Sequence, residues 1–213
     1  MLVLALDTSS IATTVAVADV ARSEVAPNRH AEVLVPLIDR ALRDAGVTRT
    51  GIQSICVGVG PGPFTGLRVG IVTALTLGDA LGVDVHGVCS LDAIAHIDGR
   101  PWGDGFTVVT DARRKEVYWA TYRDGRRLSG PSVDRPGDVA ARLAPGSTLV
   151  GAGAVLYRDT FEGFSIDDRA PYPAAAALAG LAAEPAWRVA VEPMYLRRPH
   201  AQPPGPPKRV LPA

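Results

Sequence analysis

The chain of 213 residues carries 22 Lys and Arg against 22 Asp and Glu, so it has no overall charge to attract nucleic acid. Any RNA contact would therefore have to be a local patch. Two cysteines in apolar runs indicate reduced thiols, so a cytoplasmic location is expected. No apolar run reaches the roughly 18 residues of a membrane span, and the first residues lead straight into a strand, so neither a membrane segment nor a signal peptide is expected.

The first predicted element is a hairpin. Residues 2–7 form an apolar strand, and residues 13–18, rich in β-branched side chains, form the returning strand. The turn carries Asp7, Thr8 and Ser9. Two interpretations fit this turn: a loop that faces a phosphate or a metal, or ordinary turn residues that bond their own backbone.

A third strand is expected next, but the sequence between the hairpin and the first helix is short. Only Ser23, Glu24 and Val25 are left for this strand. Either the edge strand is short, or residues are absent between Val20 and Ala21. The residues alone leave both alternatives open.

Residues 28–45 have the spacing of an amphipathic helix, with Asn28 as the expected N-cap and Gly46 as the stop. Pro36 lies in its interior and is expected to kink it. A buried strand follows over residues 51–58, and a second helix is predicted over residues 65–81 with Thr65 as its cap.

A glycine- and proline-rich loop, G-V-G-P-G-P-F-T-G-L-R-V-G over residues 58–70, joins that strand to the second helix. Free N–H groups at the start of a helix favour an anion, whereas a stiff strand-to-helix turn is the structural interpretation. The spacing is not that of the G-x-x-x-x-G-K-[ST] phosphate loop, because no lysine follows the last glycine.

The second helix carries small residues at every fourth position. Each interior glycine costs about 1 kcal/mol relative to alanine, so a close neighbour is expected on this face. The small residues are Gly66, Gly70, Ala74 and Gly78. The opposite side reads as an ordinary core stripe of Leu67, Ile71 and Leu75, flanked by Val72.

The pattern then repeats. A strand over residues 83–88 and a helix capped by Ser90 are followed by the turn-rich residues 97–104, taken as the lobe boundary. Strands over residues 106–111 and 116–122, a turn at Asp124–Gly125, a strand over 148–151 and a helix over 174–183 follow. We therefore expect a duplicated βββαβα unit: an N-terminal lobe over residues 1–100, a C-terminal lobe over 101–196 and a proline-rich tail over 197–213.

A basic cluster, Arg113, Arg114 and Lys115, lies at the turn of the second hairpin. It fits either a contact with phosphates or RNA backbone, or a solvated loop tip. The four histidines have no metal-binding spacing, so no metal site is predicted.

Three motifs together resemble the TsaB (YeaZ) family of tRNA threonylcarbamoyladenosine biosynthesis proteins. They are L-A-L-D-T-S at residues 4–9, the glycine loop, and T-D-A-R-R-K-E-V-Y-W at residues 110–119. The resemblance covers about residues 1–125. It implies a two-lobed α/β protein of the actin-like ATPase (ribonuclease H-like) fold, the fold shared by actin, Hsp70 and sugar kinases.

The resemblance also implies function through a complex. The chain would be a non-catalytic partner of a TsaD-like catalytic subunit and a TsaE-like ATPase, forming N6-threonylcarbamoyladenosine at position 37 of tRNAs that read ANN codons. It would form a homodimer when alone and meet tRNA indirectly. The two long helices would make the contact, through the following residues: Val33, Leu37, Arg40, Ala41, Gly66, Gly70, Thr73, Ala74, Leu77 and Gly78.

The resemblance further implies a degenerate nucleotide or phosphate cleft at Asp7, Thr8, Ser9, Asp111 and Arg113. No cofactor would be required, and ATP or ADP with Mg²⁺ would bind weakly at the lobe junction or the complex interface. Contact of Arg113, Arg114 and Lys115 with tRNA is a further expectation. The alternatives are an ATP-dependent small-molecule kinase, with Asp7 and Asp111 holding Mg²⁺, and a glycoprotease-type metallopeptidase.

Overall fold

Two mixed β-sheets form the framework of the computed structural model, which describes residues 1–97 and 105–197. The elements of the first half follow in chain order. They are β1 (Val3–Asp7), β2 (Ala12–Val17), β3 (Val20–Val25), α1 (His30–Asp44), a 3₁₀ turn (Arg49–Gly51), β4 (Ser54–Gly58), α2 (Phe64–Leu81), β5 (Asp84–Val88) and α3 (Ser90–Ala95).

The second half repeats this order. Its elements are β6 (Phe106–Asp111), β7 (Val117–Arg123), β8 (Arg126–Asp134), α4 (Pro136–Ala140), β9 (Thr148–Val150), α5 (Ala152–Leu156) and β10 (Ser165–Asp167). The strand order β5-β4-β1-β2-β3 in the first sheet corresponds to β10-β9-β6-β7-β8 in the second. The predicted duplication of a βββαβα unit is therefore confirmed.

The last described elements return to the first sheet. They are α6 (Ala175–Ala183), a 3₁₀ turn (Pro185–Trp187) and β11 (Arg188–Val189). The strand β11 pairs antiparallel with β5, and Leu178 of α6 packs against Ala5 and Cys56. This part of the chain thus lies on the first lobe, although the predicted division placed it in the second. The predicted boundary at residues 100–101 and the tail after residue 197 lie outside the described residues.

The edge strand β3 is six residues long, three more than the sequence left for it. It pairs with β2 over six residue pairs, from Ala12 opposite Val25 to Val17 opposite Val20. Ala18 adopts a φ of 50° in the turn. A non-glycine residue in this left-handed region is uncommon, which is why the tight turn carries no clear sequence signal. The pairing continues through Val20 and Ala21 without interruption.

The helix caps differ from the predicted ones. The N-cap positions of α1, α2 and α3 are Arg29, Pro63 and Cys89, and none of the three helices has a side-chain capping bond. Asn28 and Ser90 were expected there and lie one residue from the observed caps, whereas Thr65 lies two residues beyond Pro63. The difference matters for Ser90, because its hydroxyl does not cap α3 but donates a hydrogen bond to Asp7. Helix α1 runs through Pro36.

Helices α1 and α2 cover one face of the first sheet, and α6 covers the other. Leu34, Leu67 and Ile71 from these helices pack on Leu4 and Ile55 of the sheet. Both cysteines are buried and unpaired, and burial raises the pKa of Cys56 and of Cys89 to about 12. Neither thiol is therefore an available nucleophile at neutral pH.

Among the described residues, α2 has the length and composition of a membrane-crossing helix, with a mean hydropathy of 1.3 over its 18 residues. The expectation that no segment would reach this length is therefore corrected. Leu67, Ile71 and Ala74 of α2 are nevertheless buried in the core against the first sheet. Core helices of globular proteins pass the same test, so this is weak support for a membrane segment.

Candidate functional site: the glycine loop, the cleft and the helix pair

Asp7 ends β1 beside the glycine loop and is fully buried. Its Oδ1 accepts hydrogen bonds from the backbone N–H and the hydroxyl of Ser9, at 2.8 and 2.7 Å. Its Oδ2 accepts a bond of 2.6 Å from the Ser90 hydroxyl, whose oxygen in turn accepts one of 3.0 Å from the Gly60 N–H. Asp7 therefore connects β1, the glycine loop and α3 in one buried network.

The glycines of the loop are explained by the close approach of this network. A Cβ on Gly58 would lie 1.8 Å from Asp7 Oδ2, and one on Gly62 would lie 2.4 Å from the carbonyl oxygen of Ser9. No side chain fits at either position without displacing the β1 end. These contacts support the interpretation of the loop as a stiff strand-to-helix turn.

Thr8 is also fully buried and binds the first turns of α2. Its hydroxyl donates to the Gly66 carbonyl at 2.8 Å and accepts from the Gly70 N–H at 3.1 Å. These two backbone groups are the i and i+4 partners of an α-helix, so the hydroxyl bridges a helical pair. A Cβ on Gly70 would lie 2.4 Å from Thr8 Oγ1, and one on Gly66 would lie 2.5 Å from the Thr8 carbonyl oxygen.

The small-residue face of α2 therefore packs inside its own lobe, whereas it was predicted to contact a partner. Towards the end of α2, a Cβ on Gly78 would lie 2.4 Å from Cγ2 of Val85 in β5. The close neighbour that the glycines require is the first sheet of the same chain. The small residues let the helix approach the β1 end and β5 closely.

Taken together, most of the ten predicted interface residues lie in the core. Seven of the ten are buried: Val33, Leu37, Ala41, Gly66, Gly70, Ala74 and Gly78. Thr73 and Leu77 are half-buried. Arg40 is exposed and forms an ion pair of 2.7 Å with Glu24 of the edge strand. Residues facing the sheet are not accessible to a partner, so a contact through these helices must use other side chains.

The outward side of α2 carries exposed large side chains that we call the outward ridge: Phe64, Arg68, Val72 and Leu75. The exposed fractions of Phe64, Val72 and Leu75 are 45, 59 and 45%. Val72 and Leu75 were expected in the core stripe, so that expectation is wrong for both. Both faces of α2 are apolar, and helical periodicity alone does not tell which one meets the sheet.

The ridge borders a groove of about 510 Å³ between α1 and α2. Val35 of α1, with an exposed fraction of 49%, lines the side opposite Val72. At one end the Phe64 ring stacks on Tyr195 at 4.9 Å between centroids, and the Arg68 guanidinium lies 3.9 Å above the Phe64 ring. Arg68 Nε also donates to the Tyr195 hydroxyl at 3.0 Å. These contacts hold an apolar surface in a fixed shape.

A small cleft lies between the two sheets, at the place where a nucleotide or phosphate cleft was predicted. Its volume is about 190 Å³, against the roughly 300 to 1,000 Å³ of typical small-molecule sites. Its walls are mainly prolines and aliphatic side chains. They include Ser9, Pro61, Pro63, Leu91, Asp111, Arg113, Leu156, Pro171 and Pro173.

Ser9, Asp111 and Arg113 thus line the cleft together, whereas Asp7 and Thr8 are enclosed behind it. Asp111 Oδ1 accepts a bond of 2.8 Å from the Arg113 N–H. Both carboxylate oxygens of Asp7 are already hydrogen-bonded, so the residues present do not fit a magnesium nucleotide held by Asp7 and Asp111. Within residues 1–97 and 105–197, no group of three His, Cys, Asp or Glu side chains is placed to hold a metal ion.

The buried Asp7 makes a pH-dependent contribution to stability. Burial raises its pKa above 3.8 and outweighs the hydrogen bonds from Ser90 and Ser9, which lower it. As pH rises from 3.8 to the folded-state pKa, the unfolded chain ionises first, so stability is lost across this window. We expect the free energy of unfolding of the wild type relative to Asp7→Asn to fall over this window in denaturant titrations.

The matched control is Asp19→Asn, at an exposed carboxylate in the turn between β2 and β3. Burial also raises the pKa of Asp92. Because Asp92 is present in all three proteins, its contribution to the pH dependence of stability cancels in the comparison. A difference between wild type and Asp7→Asn that does not change with pH would contradict the burial argument.

Comparison with known proteins identifies the family. Residues 21–167 match the family model described as TsaD, tRNA N6-adenosine threonylcarbamoyltransferase. An uncharacterized protein of Mycobacterium tuberculosis is 44% identical over 94% of this chain and 94% of its own length. One of Mycobacterium leprae is 45% identical, but the match spans 56% of that longer protein.

Two further matches carry names. The tRNA threonylcarbamoyladenosine biosynthesis protein TsaB of Escherichia coli is 35% identical over 58% of this chain, and the match spans 55% of the relative. The structure of YeaZ from Pseudomonas aeruginosa superposes with a TM-score of 0.76 and 31% identity, over 92% of this chain and 99% of that one.

At the level of fold alone, the polyphosphate/ATP-glucomannokinase of an Arthrobacter species superposes with a TM-score of 0.51 and 10% identity, over 84% of this chain and 96% of that one. The predicted actin-like fold is therefore confirmed. The likeness to YeaZ over nearly its whole length and the match to TsaB agree with the motifs at Asp7, in the glycine loop and at Asp111. The chain belongs to the TsaB (YeaZ) family.

Proposed function

We propose that this chain acts in the formation of threonylcarbamoyladenosine in tRNA, as the partner of a TsaD-like catalytic subunit and a TsaE-like ATPase. The pathway is the one in which the TsaB relatives are biosynthesis proteins. The observation that carries the partner role is the exposed apolar surface formed by the outward ridge and Val35. Contiguous apolar side chains on a surface mark protein–protein contacts.

The family match favours a TsaD-like occupant for this surface. The TsaD family model matches residues 21–167, which include α1 and α2, so we expect a TsaD-like protein to have a similar pair of helices. Two similar surfaces can pack around an approximate two-fold axis, as in isologous dimers. The same geometry allows a homodimer when the catalytic subunit is absent.

The interior of the chain supports an accessory role. Asp7 is used in a structural network, the cleft is small and apolar, and the pKa of both thiols is about 12. A kinase would need Asp7 and Asp111 at a shared magnesium ion, which their placement does not favour. Catalysis by the partner, with this chain as its support, fits these observations better.

The test is reconstitution with the TsaD-like and TsaE-like proteins of the same organism. We expect the chain to co-purify with the TsaD-like protein and the modified nucleoside to form only when the chain is present. Formation of the nucleoside at the same rate without this chain would contradict the proposal. Turnover of ATP by the isolated chain at ordinary enzyme rates would favour the kinase instead.

A further inference from the structure

The turn between β6 and β7 holds three consecutive cationic residues in an unusual backbone conformation. Arg113, Arg114 and Lys115, which we call the basic turn, have φ values of 63, 54 and 61°. All three lie in the left-handed region, which glycine adopts freely and which is unfavourable for residues with a Cβ. Such strain persists only where the surrounding structure fixes it, and it is concentrated at functional sites.

The surrounding contacts fix the backbone of the basic turn. The Ala112 N–H donates to the Glu116 carbonyl at 2.9 Å, and the Glu116 N–H donates to the Arg113 carbonyl at 3.1 Å. Asp111 Oδ1 accepts from the Arg113 N–H, and Arg197 donates to the Arg113 carbonyl at 3.2 Å. The three side chains are exposed, so they extend into solvent from a rigid support.

The charge around the basic turn is locally positive on a chain with no net charge. Arg197 joins the three cations: its pKa is lowered by partial burial and by the nearby Arg114. Two carboxylates contact this group. Glu116 forms an ion pair with Arg197, and Asp111 lies 3.9 Å from Arg113 Nε.

We propose that the basic turn binds the phosphodiester backbone of the tRNA whose modification the chain supports. This inference rests on the proposed function, which supplies the tRNA. Exposed Arg and Lys side chains on a rigid turn can contact the phosphates of a polyanion, and such contacts position a nucleic acid without reading its bases. The adjacent cleft, at about 190 Å³ and with apolar walls, does not suit a nucleoside triphosphate.

The test is the double variant Arg114→Gly with Lys115→Gly. Glycine adopts the left-handed backbone without strain, so we expect a thermal unfolding midpoint no lower than that of the wild type. Arg113 is retained because it lines the cleft and its N–H binds Asp111. Binding of a tRNA transcript is measured between 50 and 200 mM salt, both for the chain alone and for its assembly with the TsaD-like protein.

Each phosphate contact contributes about 0.7 to 0.9 to the slope of log affinity against log salt. Across this fourfold range of salt, the wild type should therefore lose about 7- to 12-fold more affinity than the double variant. The charge-matched control is Arg123→Ser with Arg126→Ser, two exposed residues at the opposite end of β7 and the start of β8. It should keep the wild-type slope.

Equal slopes for wild type and double variant, or no detectable tRNA binding by the wild type in either arm, would overturn the proposal. Loss of ATP binding with unchanged tRNA binding would also overturn it, in favour of a nucleotide site. If the glycine variant is less stable, Arg114→Asn with Lys115→Asn replaces it, because Asn tolerates the same backbone. Failure of the proposed function would be seen in a different measurement. The modified nucleoside would then form without the chain, regardless of how tRNA binding depends on salt.

Discussion

Val72→Glu is expected to abolish association with the TsaD-like subunit, and also the homodimer, while the monomer stays folded. Val72 lies in the middle of the outward ridge with an exposed fraction of 59%, so a carboxylate is solvated in the free chain. In a complex the same carboxylate would lose its water, and the nearest cation on α2, Arg68 one turn away, is already held by Phe64 and Tyr195, so we expect a cost of several kcal/mol. A weakening of about 100-fold or more follows, since about 1.4 kcal/mol is a factor of ten.

Leu128→Glu provides the matched control. Leu128 has an exposed fraction of 60% and lies on β8 in the second lobe, away from both helices. The measurements are sedimentation velocity for association and formation of the modified nucleoside in the reconstituted reaction. We expect both to be lost in Val72→Glu and kept in Leu128→Glu. Association of Val72→Glu with wild-type affinity would show that the partner binds elsewhere.

The duplication was predictable from the sequence because its signals are local. Strand β6 has the predicted bounds, and it ends in Asp111 as β1 ends in Asp7. The turn at Asp124–Gly125 also lies where its residue types place it. Each of these features depends on residues adjacent in sequence, so one sequence suffices to find it.

The packing of α2 was not predictable from its own residues, because both of its faces are apolar. The choice depends on Thr8, which lies far from α2 in sequence and fills the space over Gly70, and on Val85 of the next strand, which fills the space over Gly78. The same holds for Ser90, which is a reasonable cap by type but instead binds Asp7. For a helix with two apolar faces, we therefore expect the glycine-rich face to pack against the closest neighbouring element. In a layered α/β lobe that element is the sheet.

That rule has a measurable consequence at Gly70, the second position at which we expect a large effect. Gly70→Ala places a Cβ 2.4 Å from Thr8 Oγ1, and the next contact, Leu6 Cδ1, is at an ordinary 3.4 Å. The hydroxyl cannot move away without losing its bonds to Gly66 and Gly70. We expect a loss of about 2 to 4 kcal/mol of unfolding free energy in denaturant titrations, and more for Gly70→Leu.

Two further variants separate this clash from the general effect of replacing a glycine. Gly180→Ala lies in α6 with no atom within 4 Å of the added Cβ, so it should stabilise the chain by about 1 kcal/mol through helix propensity. Thr8→Ala removes the clashing hydroxyl, so combining it with Gly70→Ala should cost about 0.5 to 3 kcal/mol less than the sum of the single variants. If the two costs simply add, α2 does not meet the β1 end through Gly70, and the outward ridge loses its basis as the exposed face of this helix.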